Sequence, residues 1–264
     1  MRLRIEHVTT FDYDQLISEA YTEMRLRPLD AGGQRCLAFA LVTEPRDEVL
    51  QYTDRFGNDV RHFDVIQPHR RLRVSATSEV LTPERFEPQA APFSPLDEFD
   101  YRMATHYAPL TRPLAEFAAA HVVPGDPRAT ALACRHGLFT HLVYTQGATD
   151  VHTTAEQALA LGRGVCQDFS HILLAAYRSL GLPARYVSGY LYNNGHLAAS
   201  HSWVDVFVAG YGWLSLDPTH DCEQTAEYVR VAVGRDYADV SPTRGVFTGN
   251  ARETLQVTVT LTAL

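Results

Sequence analysis

The chain has 264 residues, 45% hydrophobic and 20% charged, the balance of a folded protein of one large or two modest domains rather than a disordered one. Its formal charge is −8, from 31 acidic and 23 basic residues, so its overall field repels phosphate backbones and nucleic acid is not an expected partner. No stretch reaches the roughly 20 apolar residues of a membrane helix, and Met1–Val8 alternates charged with apolar residues instead of forming a signal peptide's apolar core, so no membrane association and cytoplasmic residence are expected.

The first 85 residues read as strands. Arg2–Val8 alternates with period two, and Tyr21–Leu29, Ala38–Glu44, Val49–Asp54, Val60–Ile66 and Leu72–Leu81 follow the same rule. Phe56-Gly57-Asn58-Asp59 supplies a turn between two of them. The basic run His69–Arg73 reads as the solvated face of a strand. Prolines 83, 88, 92 and 95 then mark a linker that belongs to no ladder, which divides the chain into an amino-terminal antiparallel β domain (1–88) and a core (89–264).

Helical periodicity takes over beyond about residue 96. It covers Leu114–His121, Pro127–Leu142 and Thr154–Leu161. After Gly162-Arg163-Gly164-Val165 comes an amphipathic helix from Cys166 to Leu180, with Phe169, Ile172, Leu173, Ala176 and Leu180 on one stripe and Gly181 and Pro183 as stop signals. Strands return at Arg185–Tyr192, Ser202–Val208, Tyr211–Leu216, Tyr228–Val233 and Leu255–Leu261. The last of these is free to rejoin the amino-terminal sheet. Helices followed by strands make the core α+β.

The four cysteines, Cys36, Cys134, Cys166 and Cys222, lie far apart with no paired spacing, which fits reduced thiols and argues against a structural zinc site. Cys166 stands out by position. It opens a helix, where unpaired N–H groups and the dipole favour thiolate, and Arg163 adds positive charge. Gly164 lets a substrate backbone approach, and the cysteine's own N–H can donate to an oxyanion.

A base can be placed by hairpin arithmetic. With Val208-Ala209-Gly210 as a three-residue loop, Phe207 pairs with Tyr211, Asp205 with Trp213, Trp203 with Ser215 and His201 with Asp217. Val204, Val206, Leu214 and Leu216 then share the core face, while His201 and Asp217 share the other. In such a set His201 takes the thiol proton and returns it to the leaving amine, and Asp217 fixes the ring.

These residues resemble the transglutaminase-like superfamily, specifically bacterial transglutaminase-like cysteine peptidases. The resemblance rests on Gly164–His171, Gly181–Tyr190, His201–Val206 and Gly212–Thr219, in that order, with Leu26-Arg27-Pro28 and Phe56-Gly57-Asn58 similar to the bacterial amino-terminal domain. It implies a papain-like core, with the cysteine's helix against an antiparallel sheet, and Cys166, His201 and Asp217 as the catalytic triad. Ser202 departs from the usual alanine, and His220 from the usual asparagine. Asp168 and His171 read as supporting residues. Tyr144 and Gln146 are candidates for a second oxyanion donor, and Trp203 and Trp213 for the walls of a peptide cleft.

The expected reaction is hydrolysis of a peptide or side-chain amide in a peptide or protein substrate. Transfer to an amine acceptor uses the same residues, and a non-catalytic peptide-binding module is the reading from outside enzymology. No cofactor or metal is called for. The pairs His196/His201 and His136/His141 lack helical zinc spacing, and no calcium loop is present.

Overall fold

The computed structural model describes residues 1–86, 94–193 and 200–264. Pro88, Pro92, the boundary placed after residue 88, and His196 lie outside the described residues. Six strands open the chain: β1 (Arg2–Ile17), β2 (Glu19–Met24), β3 (Arg35–Glu44), β4 (Leu50–Thr53), β5 (Asp59–Val65) and β6 (His69–Leu81). The alternation of β1 is visible in its burial, with Leu3, Ile5, His7, Thr9, Phe11 and Tyr13 inward and their neighbours outward or half-buried.

The core segment begins with α1 (Pro95–Arg102), α2 (Arg112–Ala119), α3 (Pro127–His141), β7 (Val143–Tyr144), α4 (Ala155–Leu161), β8 (Arg163–Gly164) and α5 (Cys166–Ser179). It continues through β9 (Ala184–Leu191), β10 (Ser200–Val208), β11 (Gly212–Asp217), β12 (Cys222–Glu223), β13 (Tyr228–Gly234) and α6 (Tyr237–Val240). Two last strands, β14 (Thr243–Thr248) and β15 (Glu253–Ala263), close the chain. The architecture is α+β with antiparallel sheets, as the element order implies. No helix among the described residues is long and apolar enough to cross a membrane.

The two last strands leave the core. β15 pairs with β1 from Leu3↔Ala263 to Tyr13↔Glu253, and β14 pairs with β2, so they sit at the edges of two four-stranded sheets, β15-β1-β6-β3 and β14-β2-β5-β4. Phe11, Ile17, Met24, Phe63, Leu72 and Val74 fill the space between those sheets.

The core sheet has the order β12-β11-β10-β9-β13. On one face Val204, Val206, Leu214 and Leu216 pack with Phe169, Ile172 and Leu173 of α5. On the other, Val187, Trp203, Tyr228 and Val233 meet Leu29 and Phe56; Val229 and Val231 of β13 cluster with Leu3, Ile5, Val259 and Leu261 of the amino-terminal and closing strands. Both faces are therefore covered, which is why every residue of β13 is buried.

This also corrects the amphipathic reading of α5. Every residue from Asp168 to Arg178 is buried, because α2, α3 and α4 wrap the side away from the sheet. The polar ones are answered inside: Arg178 donates to the carbonyl oxygens of Tyr101 (3.1 Å) and Ala184 (2.9 Å), and Ser170 Oγ meets Ser202 Oγ at 3.1 Å.

Candidate active site

The chain enters α5 through a short parallel ladder rather than the open loop the glycines imply. Thr145 N–H donates to Gly164 O (2.8 Å) and Val143 N–H to Gly162 O (3.0 Å), which sets Tyr144 beside Gly164. Gly162 itself ends α4 at φ 69°, a left-handed conformation. Gly164 is buried, and a Cβ there would lie 2.5 Å from Asp168 Oδ2. Its missing side chain makes room for Asp168, not for a substrate backbone. Asp168 Oδ2 in turn accepts from Val165 N–H and Thr149 Oγ1, both at 2.7 Å, fixing the turn that presents Cys166. Burial raises the Asp168 carboxyl above its ordinary value.

Cys166 is half-buried at the first residue of α5, with His201 and Ser202 as the neighbours that act electrostatically on its thiol. His201 and Ser202 are adjacent on β10, so one strand contributes both. The expected β10–β11 register is not the observed one. Val208 pairs with Gly212 and Asp205 with Ser215, a slip of two residues from the predicted pairing. The turn runs from Val208 to Tyr211, closed by Tyr211 N–H to Val208 O at 2.9 Å, and Gly210 (φ 79°) and Gly212 (φ 95°) both take positive φ. A second glycine able to adopt positive φ moves the loop outward. Because the slip is even, side chains keep their faces. His201 and Asp217 are diagonal rather than opposite, and His201 Nε2 still lies 2.7 Å from Asp217 Oδ2.

Asp217 is fully buried and saturated with donors. Oδ2 also receives Tyr228 Oη (2.6 Å) and His220 Nδ1 (2.8 Å), and Oδ1 receives the backbone N–H groups of Thr219 (2.7 Å) and His220 (3.3 Å). Burial alone would raise its pKa, but hydrogen bonds from His201 and His220 hold it far below the carboxylate range. Burial likewise would lower His201, yet the Asp217 hydrogen bond and the Cys166 thiol push it up to about 10. For Cys166, burial is outweighed by the hydrogen bond and charge of His201, with Ser202 adding to them, and the thiol falls below its ordinary 9.0. The three shifts share one cause: a thiol, an imidazole and a carboxylic acid arranged in a row, each favouring its neighbour's charged form. Cys134, with no such partner, is pushed up to about 12 by burial.

The remaining expected residues fall in different places. Tyr144 is half-exposed beside Cys166 and hydrogen-bonded to Gln146. Trp203 is fully buried under His201, its ring 5.2 Å from Tyr228 in a T-shaped contact, and presents no surface to a ligand. Gly189, the cross-strand partner of His201, has no room for a Cβ, which would run into the Val229 carbonyl oxygen and approach Trp203 Cη2 to 2.7 Å. Trp213 packs under the Arg185 guanidinium at 4.3 Å, on the far side of Asp205. Sequence reasoning did not anticipate Tyr228, because only the fold brings β13 within reach of β11. It noted His220 as a departure but did not place it on Asp217, although three residues of spacing after Asp-Pro allow that contact.

With this geometry in view, the comparisons with known proteins are direct. Residues 3–81 match the bacterial transglutaminase-like N-terminal region, and residues 118–218 match the transglutaminase-like superfamily. The chain is 34% identical to the uncharacterized protein ML0607 of Mycobacterium leprae over 100% of its own length and 99% of that protein's. It is 31% identical to the uncharacterized protein Rv2569c of Mycobacterium tuberculosis, covering 98% and 91% of the two chains. Its fold matches the crystal structure of a "Putative Cysteine Protease" from Cytophaga hutchinsonii with a TM-score of 0.79 at 22% identity, over 98% of this chain and 90% of that one. From the motifs, the arrangement of α5 against the core sheet and these matches together, the chain belongs to the transglutaminase-like superfamily and carries the bacterial N-terminal region ahead of the core.

Proposed function

We propose that this chain is a cysteine-dependent acyl-transfer enzyme that hydrolyses a peptide or side-chain amide through a thioester on Cys166. The observation that supports the reading most is His201 Nε2 at 2.7 Å from the buried Asp217 carboxylate, with the Cys166 thiol at the start of α5 lowered chiefly by His201. Nε2 is committed to Asp217, which leaves Nδ1 as the nitrogen that exchanges a proton with sulfur.

In the first step the Cys166 thiolate adds to the amide carbon, and the oxyanion formed meets the unpaired N–H groups at the start of α5. His201 gives its Nδ1 proton to the leaving nitrogen, so an amine departs and a thioester remains. Water then attacks the thioester, His201 takes a proton from it, and the acid is released with Cys166 restored. Asp217 stays ionised throughout and stabilises the imidazolium. Tyr144, exposed beside Cys166, is placed to touch the acyl part of a bound peptide.

The test is a peptide mixture digested with wild type and Cys166→Ala, with and without a primary amine, and read by mass spectrometry. Amide products that require Cys166 support the reading. An amine adduct in place of the acid assigns transfer instead of hydrolysis. Peptide retained unchanged by both proteins assigns a binding module and overturns the catalytic reading.

A further inference from the structure

We propose that His201, Asp217 and His220 form a binding site for a divalent transition-metal ion, zinc above all, and that occupancy switches off acyl transfer by Cys166. Among the described residues this is the one group of three such side chains whose donor atoms all lie within 4.8 Å of one another. The donors are two imidazole nitrogens and a carboxylate oxygen, a set that suits zinc and disfavours calcium or magnesium, which take oxygen ligands.

The geometry of Asp217 Oδ2 argues for a cation. This oxygen meets three donors, His201 Nε2 at 2.7 Å, His220 Nδ1 at 2.8 Å and Tyr228 Oη at 2.6 Å, more than its two lone pairs can serve equally well. A metal at the point where the first two converge replaces both N–H groups with one centre and leaves the tyrosine bond in place. Zinc–nitrogen and zinc–oxygen bonds of about 2.0–2.1 Å set tetrahedral ligand atoms roughly 3.3–3.4 Å apart, so Oδ2, now 2.7 and 2.8 Å from the two imidazole nitrogens, must open from each by about 0.6 Å. The carboxylate's second oxygen keeps its backbone donors at Thr219 and His220, so the ligand stays oriented.

The site is also reachable. The His220 side chain is 50% exposed, and with Cys222 and Tyr228 it lines an open cavity of about 260 Å³. A metal can enter from that side without passing Cys166.

The consequence for Cys166 follows from imidazole chemistry and rests on the catalytic reading above. His201 releases its Nε2 proton to solvent when the metal binds there. The neutral ring then keeps its remaining proton on Nδ1, the nitrogen facing the Cys166 thiolate, and giving that proton to the leaving nitrogen would leave a metal-bound imidazolate. The acid for the leaving nitrogen is lost while the fold is untouched.

The experiment uses the full chain, first stripped with a chelator, titrated with Zn²⁺ alone by calorimetry and with Co²⁺ alone by visible absorption. The expected result is one ion per chain in wild type. Binding should weaken by at least roughly 10-fold in His220→Gln and in His220→Ala, the lower end of what even an outer-shell partner is worth. The exposed pair His136–Asp221 is the control, so His136→Gln should bind as wild type does. Imidazole nitrogen resonances of wild type, which need no variant, should move at His201 and His220. No uptake by wild type, undiminished uptake by folded His220 variants, or movement of other histidines instead overturns the site. Uptake without any Cys166-dependent cleavage keeps the site and sinks the catalytic reading, whereas cleavage by a chain that takes up no zinc does the reverse.

Discussion

Replacing Asp217 by Asn probes the row of charges at its most buried member. The amide can keep its oxygen toward Thr219 N–H, now at 2.7 Å, only by turning its NH₂ toward His201, His220 and Tyr228, where donors then face donors. In the wild-type chain His201 is raised from 6.5 to about 10, and that difference of about 3.5 is worth about 5 kcal/mol. Asp217 supplies the largest of the favourable contributions, so its loss lowers His201 and removes on the order of 1.5–3 kcal/mol, the worth of a charge-assisted hydrogen bond. The sign is fixed by the direction of the shift. A raised imidazole contributes stability that is fully present below 6.5 and lost as pH climbs to about 10, so Asp217→Asn destabilises most at neutral and lower pH and least in alkali. The assay is an imidazole NMR titration of His201 in both proteins, paired with urea unfolding at pH 6 and pH 10. A His201 titration that does not move, or a stability difference that grows toward pH 10, refutes the argument.

Three further outcomes follow from named contacts. Ser202→Ala removes a donor from the Cys166 thiolate and orphans Ser170 Oγ, so the thiol pKa should rise and unfolding free energy fall by about 1 kcal/mol, measured by alkylation profile and urea melt. Gly164→Ala places a methyl 2.5 Å from Asp168 Oδ2 and should cost about 1–3 kcal/mol while slowing Cys166 alkylation, because the turn that presents the thiol must shift. His7 and His171 are buried and lowered by burial to about 4 and about 3; a lowered histidine costs stability once pH falls below its ordinary 6.5, so each should subtract about 2 kcal/mol between pH 7 and pH 5. Urea unfolding at those two pH values checks this, and His7→Gln should remove its share.

How much of this was legible depends on the distance over which the physics acts. The hydrophobic period located α5 and most core strands to within a few residues, because periodicity is local. Parity did more than register. The β10–β11 pairing was displaced by two because Gly212 as well as Gly210 takes positive φ, yet an even slip left His201 and Asp217 on one face. Gly164 was visible as a constrained position, but the atom that requires it, on Asp168, was not. Tyr228 could not be assigned from sequence, since its contact with Asp217 needs β13 folded against β9 and the sheet closed around it. β14 was missed for a related reason: Thr243–Thr248 is half-exposed and weakly patterned, and becomes a strand by pairing with β2 at a sheet edge.

The central claim is that Cys166 is an activated thiolate held by His201. Iodoacetamide labelling from pH 5 to pH 10, with peptide mapping of all four cysteines in wild type and His201→Ala, tests it most directly. The account predicts selective labelling of Cys166 well below pH 9, slowed in the variant, with Cys134 unreactive throughout. Labelling of Cys166 that appears only near pH 9 and is indifferent to His201 would contradict it.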